Sequence, residues 1–594
     1  MAQQSPVLQY SLAVNSVSQH LFDVTLSIPA LDSEHLTLSL PGWIPGSYMV
    51  RDFSRNIVNF AATNSKGHPI EVTLLDKQQW QLTTGGEAVE VAYQVYAFDL
   101  SVRSAYINDE YAFCNGTSVF VSVSGCENLP CELAIKSPAS KPDWQIETTL
   151  PHLEDNRFIS ADYDELIDHP IFIGECTSAD FEVDGVTFTL MFSGTTQYDL
   201  PRLCADLEKV CQHHLSLFGK PYPVKHYLFM TLIANEGYGG LEHRSSTALL
   251  FPRFELPLAG EPEELSDSYV NFISLCSHEL FHTWHVKRIK PDVMVVPDLS
   301  QETYTDQLWI YEGFTSFYDD VTLARVGVIP PERYFKIVAQ NLTRLYKNAG
   351  RFKQSIAESS FYAWNKFYKQ DAGSINHIVS YYNKGGIVAL GLDILLRERS
   401  NNQYNLDDLM RLLWAQYGDE NGTPANVIEQ LCRDELNVDI KDYLDAVVYG
   451  TQDVVLDSLL EQIGVCQTVQ TPLSLQDKGG DEASGKVSPR YDFGAVTKDA
   501  DTGLIIQAVQ EDSAACQAGL QINDKLIAAD GYVVNTKLLQ RLLTLPDDKP
   551  LTLSVIRDGR LLSLTLPLLP AQAQSCVLRI EDEVRVKQWL NTHD

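Results

Sequence analysis

The chain has 594 residues, 44% hydrophobic and 21% charged, and its 45 Lys and Arg against 78 Asp and Glu leave a net charge of -33. That is a globular composition with material for several cores, and it excludes a disordered, collagen-like or coiled-coil protein. A nucleic-acid binder needs a basic footprint, and this chain has the opposite balance, so no nucleic-acid partner is expected.

Residues 1–170 read as an all-β domain. LQYSLAV, LFDVTLSI, LTLSL, VEVAYQVYAF and SVFVSVS alternate apolar and polar residues at period two. No apolar run approaches the ~18–20 residues that span a bilayer. The opening stretch, MAQQSPVLQYSLAVNSVSQ, lacks a basic segment followed by an apolar one. A cytoplasmic protein without a membrane partner is therefore expected. Eleven scattered cysteines without a CxxC pair fit that setting as free thiols.

Residues 171–466 read as a mixed β/helical domain. FEVDGVTFTLMFSG has the pattern of a hairpin and HYLFMTLI that of a strand. Helical spacing then predicts segments at 266–286, 305–325, 331–348, 385–399, 405–417 and 424–448. Residues 467–490 are rich in Gly, Ser, Asp, Lys and Gln and read as a linker. Residues 491–569 form a compact unit in which strands LIIQAVQ and LTLSVIRDGRLLSLTLPL flank a helix near 537–545. A tail over 570–594 carries a further helical pattern, IEDEVRVKQWL. The fold class is multidomain α+β.

The chemistry concentrates in the 266–286 segment. His278-Glu279-Leu280-Phe281-His282 is an H-E-x-x-H inside SYVNFISLCSHELFHTWHV, with a cap at Ser266 or Asp267. Four residues advance a helix by ~6 Å and just over one turn, so both imidazoles leave one face and reach one ion. Glu279, one residue on, is placed to act as general base on zinc-bound water without being a ligand. A third ligand is needed. Glu302 lies in the polar stretch DLSQETYT, and Glu312 in the aromatic-rich helix LWIYEGFTSFYD. A ligand on a packed helix is better fixed than one on a loop, which selects Glu312. Asp319 falls seven residues later on the same face, where it can orient a zinc-bound histidine or serve as ordinary helix-surface charge.

H-E-x-x-H followed by W-x-x-E-G-F resembles the gluzincin metallopeptidases of the aminopeptidase N type. Gly239-Gly240-Leu241-Glu242-His243 resembles that family's Gly-x-Met-Glu-Asn motif, whose Glu binds the substrate's free α-amine. Tyr381-Tyr382-Asn383-Lys384-Gly385 resembles its Tyr-Glu-Lys-Gly motif, whose Tyr hydrogen-bonds the oxyanion. Eleven more residues separate His282 from Glu312 than in the usual plan, and His243 replaces Asn. Together with WIPGSYMVRDFSR and the HVKRIKP stretch that begins at His285, these departures are similar to the glycyl aminopeptidase family. In that stretch His285 stands where relatives often have Asn.

The resemblance implies a β N-terminal domain, a thermolysin-like catalytic domain, a C-terminal PDZ domain and one Zn2+. It also implies peptide substrates with a free N-terminus and small first residues. Glu242, with Gly239 and Gly240, would bind substrate, and Tyr382 would act beside Glu279. Residues 513–526 resemble the bacterial PDZ pattern, which makes Phe493-Gly494-Ala495 the loop for a peptide or protein C-terminal carboxylate. Two other functions stay open at this level: a PDZ scaffold with a vestigial peptidase site, and a zinc endopeptidase. The charge is uneven along the chain. Residues 1–200 carry 8 basic and 26 acidic groups and residues 401–594 carry 16 and 30, whereas residues 201–400, with every proposed catalytic residue, carry 21 and 22.

Overall fold

The period-two segments of the first 170 residues bury one face each. Leu8, Tyr10 and Leu12 on one strand, Phe22, Val24 and Leu26 on the next, and Val91, Tyr93 and Val95 on a third line a common core. The computed structural model describes residues 6–483, 488–546 and 549–591. Its contacts divide the chain into two compact units, Met1–Thr303 with Trp414–Gly422, and Tyr304–Leu413 with Thr423–Asp594.

The first unit opens with a six-stranded sheet in the order Arg157–Ser160, Cys131–Lys136, Leu8–Ser16, Leu21–Ile28, Val89–Tyr96, Ile57–Asn64. Two four-stranded sheets accompany it. SVFVSVS departs from the expected strand, because only Ser122–Val123 pairs. The carbonyls of Val119, Phe120 and Val121 accept instead from the hydroxyls of Tyr93, Tyr163 and Tyr10. Three tyrosines thus satisfy a buried backbone that no neighbouring strand reaches. A five-stranded sheet follows, in the order Cys176–Val183, Val186–Ser193, His226–Ala234, Ser246–Pro252, Gly239–Glu242. Gly239–Glu242 is an edge strand, paired antiparallel on one side only.

Helix Leu200–Phe218 packs with helix Asp267–Phe281, and the sequence reading had no helix there. Its buried stripe runs Leu203, Leu207, Val210, Cys211, His214, Leu215 and Phe218. Cys211 and His214 interrupt the apolar signal, yet both are buried, and His214 Nε2 lies 2.9 Å from Ser277 Oγ.

The second unit is helical up to Gln462 and β-rich beyond. Helices Leu308–Arg325, Pro331–Tyr346, Asn383–Arg399 and Leu406–Tyr417 match the spacing. The 424–448 segment is two helices, Val427–Asp434 and Lys441–Val447, because Asn437 at φ 53° breaks the run. The C-terminal sheet runs Ala495–Asp499, Leu504–Val509, Lys525–Ala529, Leu551–Arg557, Arg560–Leu566 around Phe493, Ile506, Leu526, Leu539 and Leu553.

Residues 467–490 are not the free linker the composition suggests. Val465–Gln470 pairs antiparallel with Ser575–Ile580 from the expected tail. Further on, Gly480 N donates to Cys576 O, and Gly479 lies against Thr343 of helix Pro331–Tyr346. Glycine-rich composition here serves close packing rather than flexibility. The tail likewise carries helix Glu583–Leu590, whose Trp589 is buried and donates to Asp393 at 2.7 Å. Residues 484–487 of the expected linker, 592–594 of the tail and 1–5 of the N-terminal domain lie outside the described residues. Among the described residues no helix is long and apolar enough to cross a membrane.

Candidate metal centre and amine site

Helix Asp267–Phe281 starts at Ser266, whose hydroxyl accepts from Tyr269 N, and ends with His282 at its C-cap. His278 and His282 therefore stand one turn apart, their rings 4.7 Å between centroids and nearly perpendicular. His282 Nδ1 lies 2.7 Å from the His285 carbonyl. A carbonyl can only accept, so Nδ1 carries the proton and Nε2 keeps its lone pair for a metal. His285, a residue without an assigned role from sequence, contributes this backbone oxygen while its own ring is buried. The backbone at Glu279 is tied down by Tyr227, whose hydroxyl donates to Glu279 O at 3.1 Å.

Among the described residues His278, His282 and Glu312 form a group that could hold a metal ion, with ligand atoms all within 4.8 Å of one another. Two imidazoles and one carboxylate are the donor set of a catalytic zinc with an open fourth position, so these residues fit that ion. Glu302, the competing carboxylate, is exposed on its loop. Glu312 is only 2% exposed on helix Leu308–Arg325. Gly313 and Gly385 let this helix and Asn383–Arg399 touch backbone to backbone, since a Cβ on Gly313 would stand 2.6 Å from the Gly385 Cα. The crossing brings Tyr382, the residue before the second helix, close to Glu312. Burial first, and then the Glu312 carboxylate, push the Tyr382 phenol well above its ordinary pKa, so it stays a donor. Tyr381 is fully buried. Asp319 is half-buried, and its Oδ1 accepts from Asp320 N at 2.6 Å.

Glu242 and Glu279 are each 4% exposed, and two glycines explain how they come together. A Cβ on Gly240 would stand 2.0 Å from Glu279 Oε1, so the edge strand meets the helix only because Gly240 has no side chain. Residues 240 and 242 share a face of the strand, which turns Glu242 the same way. Gly46, in WIPGSYMV, has φ +92°, and a Cβ there would fall 2.4 Å from Glu242 Oε1. Sequence reading singled out this stretch but gave it no role. It forms the roof over Glu242, and its flank is fixed where Gly42 N donates to Leu299 O at 2.7 Å and Trp43 Nε1 to Gln301 O at 2.8 Å.

The basic stretch after the helix anchors the far end of the same strand. Lys287 Nζ pairs with Asp168 at 2.6 Å, and Asp168 Oδ2 accepts from Arg244 N at 2.9 Å. Burial raises the Asp168 pKa, but Lys287, His243 and Arg244 outweigh it and hold the carboxyl well below its usual range. Arg244 in turn forks onto Glu420 at 2.8 and 2.7 Å. In the C-terminal sheet Phe493 is a buried core residue, Gly494 sits at φ +69°, and Ala495 opens edge strand Ala495–Asp499.

Residues 9–175 match the family model of the peptidase M61 N-terminal domain, 271–388 that of M61 glycyl aminopeptidase, and 491–568 that of a PDZ domain. A solved aminopeptidase N family protein from Idiomarina loihiensis is 38% identical with a TM-score of 0.95, covering 98% of this chain and 100% of its own. An M1 zinc metallopeptidase from Deinococcus radiodurans is 13% identical with a TM-score of 0.43, over 73% of this chain and 92% of its own. Yeast LTA4 hydrolase in complex with bestatin is 14% identical with a TM-score of 0.45, over 77% of this chain and 67% of its own. No curated protein matches. The matched family models and the full-length relative, on a chain whose histidine and glutamate ligand atoms converge, establish that it belongs to the M61 glycyl aminopeptidase family and is a zinc aminopeptidase.

Proposed function

We propose that the enzyme removes single small residues, Gly or Ala, from the free amino end of short peptides, with one zinc ion held by His278, His282 and Glu312. The observation that carries this reading is the pairing of two buried carboxylates. Glu279 fills the space left by Gly240, and Glu242 lies two residues along the same strand under Gly46. An anion for the α-ammonium thus stands about 7 Å along the strand from the base, the reach of roughly one residue plus its scissile carbonyl.

Zinc at this site supplies Lewis-acid polarisation of the scissile carbonyl and a lowered pKa for water. Glu279 takes the proton of the attacking water and passes it to the leaving nitrogen. Tyr382 donates its O–H to the carbonyl oxygen as negative charge develops there. Glu242 binds the α-ammonium and sets the register at one residue. The small-residue preference rests on the family description, and it is supported by Gly46, whose approach to Glu242 leaves little room beside the amine. Phe493-Gly494-Ala495 and the adjoining edge strand would receive a peptide carboxylate by strand addition. A cytoplasmic setting fits eleven cysteines that are all free thiols.

N-acetylation of an Ala-initiated peptide is expected to reduce its cleavage by about 30–100-fold or more, the cost of leaving a buried carboxylate without its charge partner. Equal cleavage of free and acetylated peptides would turn the reading to an endopeptidase. Gly240→Ala is a sharper probe of the geometry. The backbone at Gly240 is ordinary, and the three atoms nearest its Cβ, Oε1, Cδ and Cγ at 2.0, 2.5 and 2.8 Å, all belong to the Glu279 side chain. The variant should melt within about 2 °C of wild type, yet lose about 10²-fold in kcat because the base is displaced. Wild-type turnover by a folded Gly240→Ala chain would show that Glu279 need not sit where it does.

A further inference from the structure

The free edge of strand Gly239–Glu242 carries a cation that the mechanism leaves unused. Arg103 lies in the turn of the N-terminal domain between Asp99 and Ala105, and its Nη2 donates to Gly240 O at 3.1 Å. Gly240 pairs with Leu249 on one side, while its carbonyl is turned to the open side and meets the guanidinium there.

Arg103 is held in place. Val102 and Ser104 on either side are buried, and Arg103 N donates to Ser101 Oγ at 3.1 Å. Asn115 Nδ2 donates to Val102 O at 2.7 Å, and Asn115 N to Ser104 O at 3.1 Å. Among the described residues no carboxylate pairs with Arg103, and its Nε is buried without a hydrogen-bond partner. Nη1 lies 3.6 Å from where a Gly239 Cβ would be, so the glycine leaves that nitrogen open along the strand. A half-buried guanidinium with one fork arm anchored and another free is suited to a carboxylate.

We propose that Arg103 binds the C-terminal carboxylate of dipeptides and so sets the length of the preferred substrate. The inference rests on the reading of Glu242 as the amine anchor. A substrate main chain added at the free edge runs along the strand at ~3.3 Å per residue. Glu242 at one end and Arg103 at Gly239–Gly240, two to three residues away, are then roughly 7–10 Å apart along the strand. An extended dipeptide, at ~3.3–3.6 Å per residue, has its ammonium and carboxylate at about that separation, the carboxylate one residue beyond the scissile carbonyl. Longer peptides place an uncharged amide beside Arg103 and lose the pairing.

The test compares kcat/KM of the zinc-loaded full chain for Ala-Ala and Gly-Ala against their C-terminal amides, in wild type, Arg103→Gln and Arg103→Lys. Wild type is expected to favour the acids by about tenfold or more. Arg103→Gln should bring the acid-to-amide ratio close to one, with Arg103→Lys in between. The ratio is the readout because a merely structural Arg103, bracing Gly240, would lower acid and amide alike and leave it intact. That outcome, or a wild-type ratio near one, overturns the proposal. Acetyl-Ala-Ala runs alongside. If acetylation leaves cleavage intact, the Glu242 reading fails and this proposal falls with it. If acetylation blocks cleavage while the ratio is near one, the Arg103 assignment alone is wrong.

Discussion

Glu279→Gln is expected to retain zinc and fold while losing about 10²–10⁴-fold in kcat, the usual contribution of a positioned general acid–base group. Gln keeps the volume and most of the contacts of a side chain that is 4% exposed and packed under Gly240, so no cavity opens. It cannot take a proton from water at neutral pH, and it cannot return one to the leaving nitrogen. KM should change little, because Glu242, the proposed amine anchor, and the strand edge are untouched. Metal analysis beside steady-state kinetics decides the matter. A Gln variant with near wild-type kcat would move the base elsewhere, and one that has lost its metal would make Glu279 structural. Gly240→Ala and Glu279→Gln should resemble each other in kcat, since one displaces the carboxylate and the other neutralises it.

The candidate metal group was legible in the sequence where local spacing carries the chemistry. His278 and His282 needed only the helical repeat, and Glu312 needed only the judgement that an aromatic-rich helix holds a ligand better than the loop of Glu302. What stayed hidden depends on distant chain segments. Gly46 lies almost two hundred residues before Glu242, and Arg103 well over a hundred before Gly240. No periodicity links such pairs, because each contact is made by an edge or loop brought in by tertiary packing. The oxygen that orients His282 belongs to the backbone of His285, and a backbone role leaves no trace in residue type. The same holds for the fold. Strands with one buried face were readable, whereas Val119–Phe120–Val121, satisfied by three tyrosine hydroxyls, imitated a strand without a partner. The helix Leu200–Phe218 was masked by a histidine and a cysteine at core positions. The glycine-rich stretch after Gln470 read as a linker because composition does not separate flexibility from close approach.

Glu312→Ala is expected to cost the enzyme its metal as well as its activity, and Glu302→Ala neither. The first removes one of three ligand atoms from a group whose members lie within 4.8 Å of one another. Two imidazoles one turn apart remain, too few to hold a catalytic zinc firmly. Without the ion, the scissile carbonyl loses a Lewis acid worth several kcal/mol, and kcat/KM should drop by about 10³-fold or more at ~1.4 kcal/mol per factor of ten. The carboxylate of Glu302 is exposed on its loop, and its removal should leave metal content and rate as they are. The comparison separates the two carboxylates that the sequence offered for one role. Treating wild type with a chelator should reproduce the Glu312→Ala loss, and adding zinc back should restore wild type but not the variant. Full metal content in Glu312→Ala, or metal loss in Glu302→Ala, would reassign the third ligand.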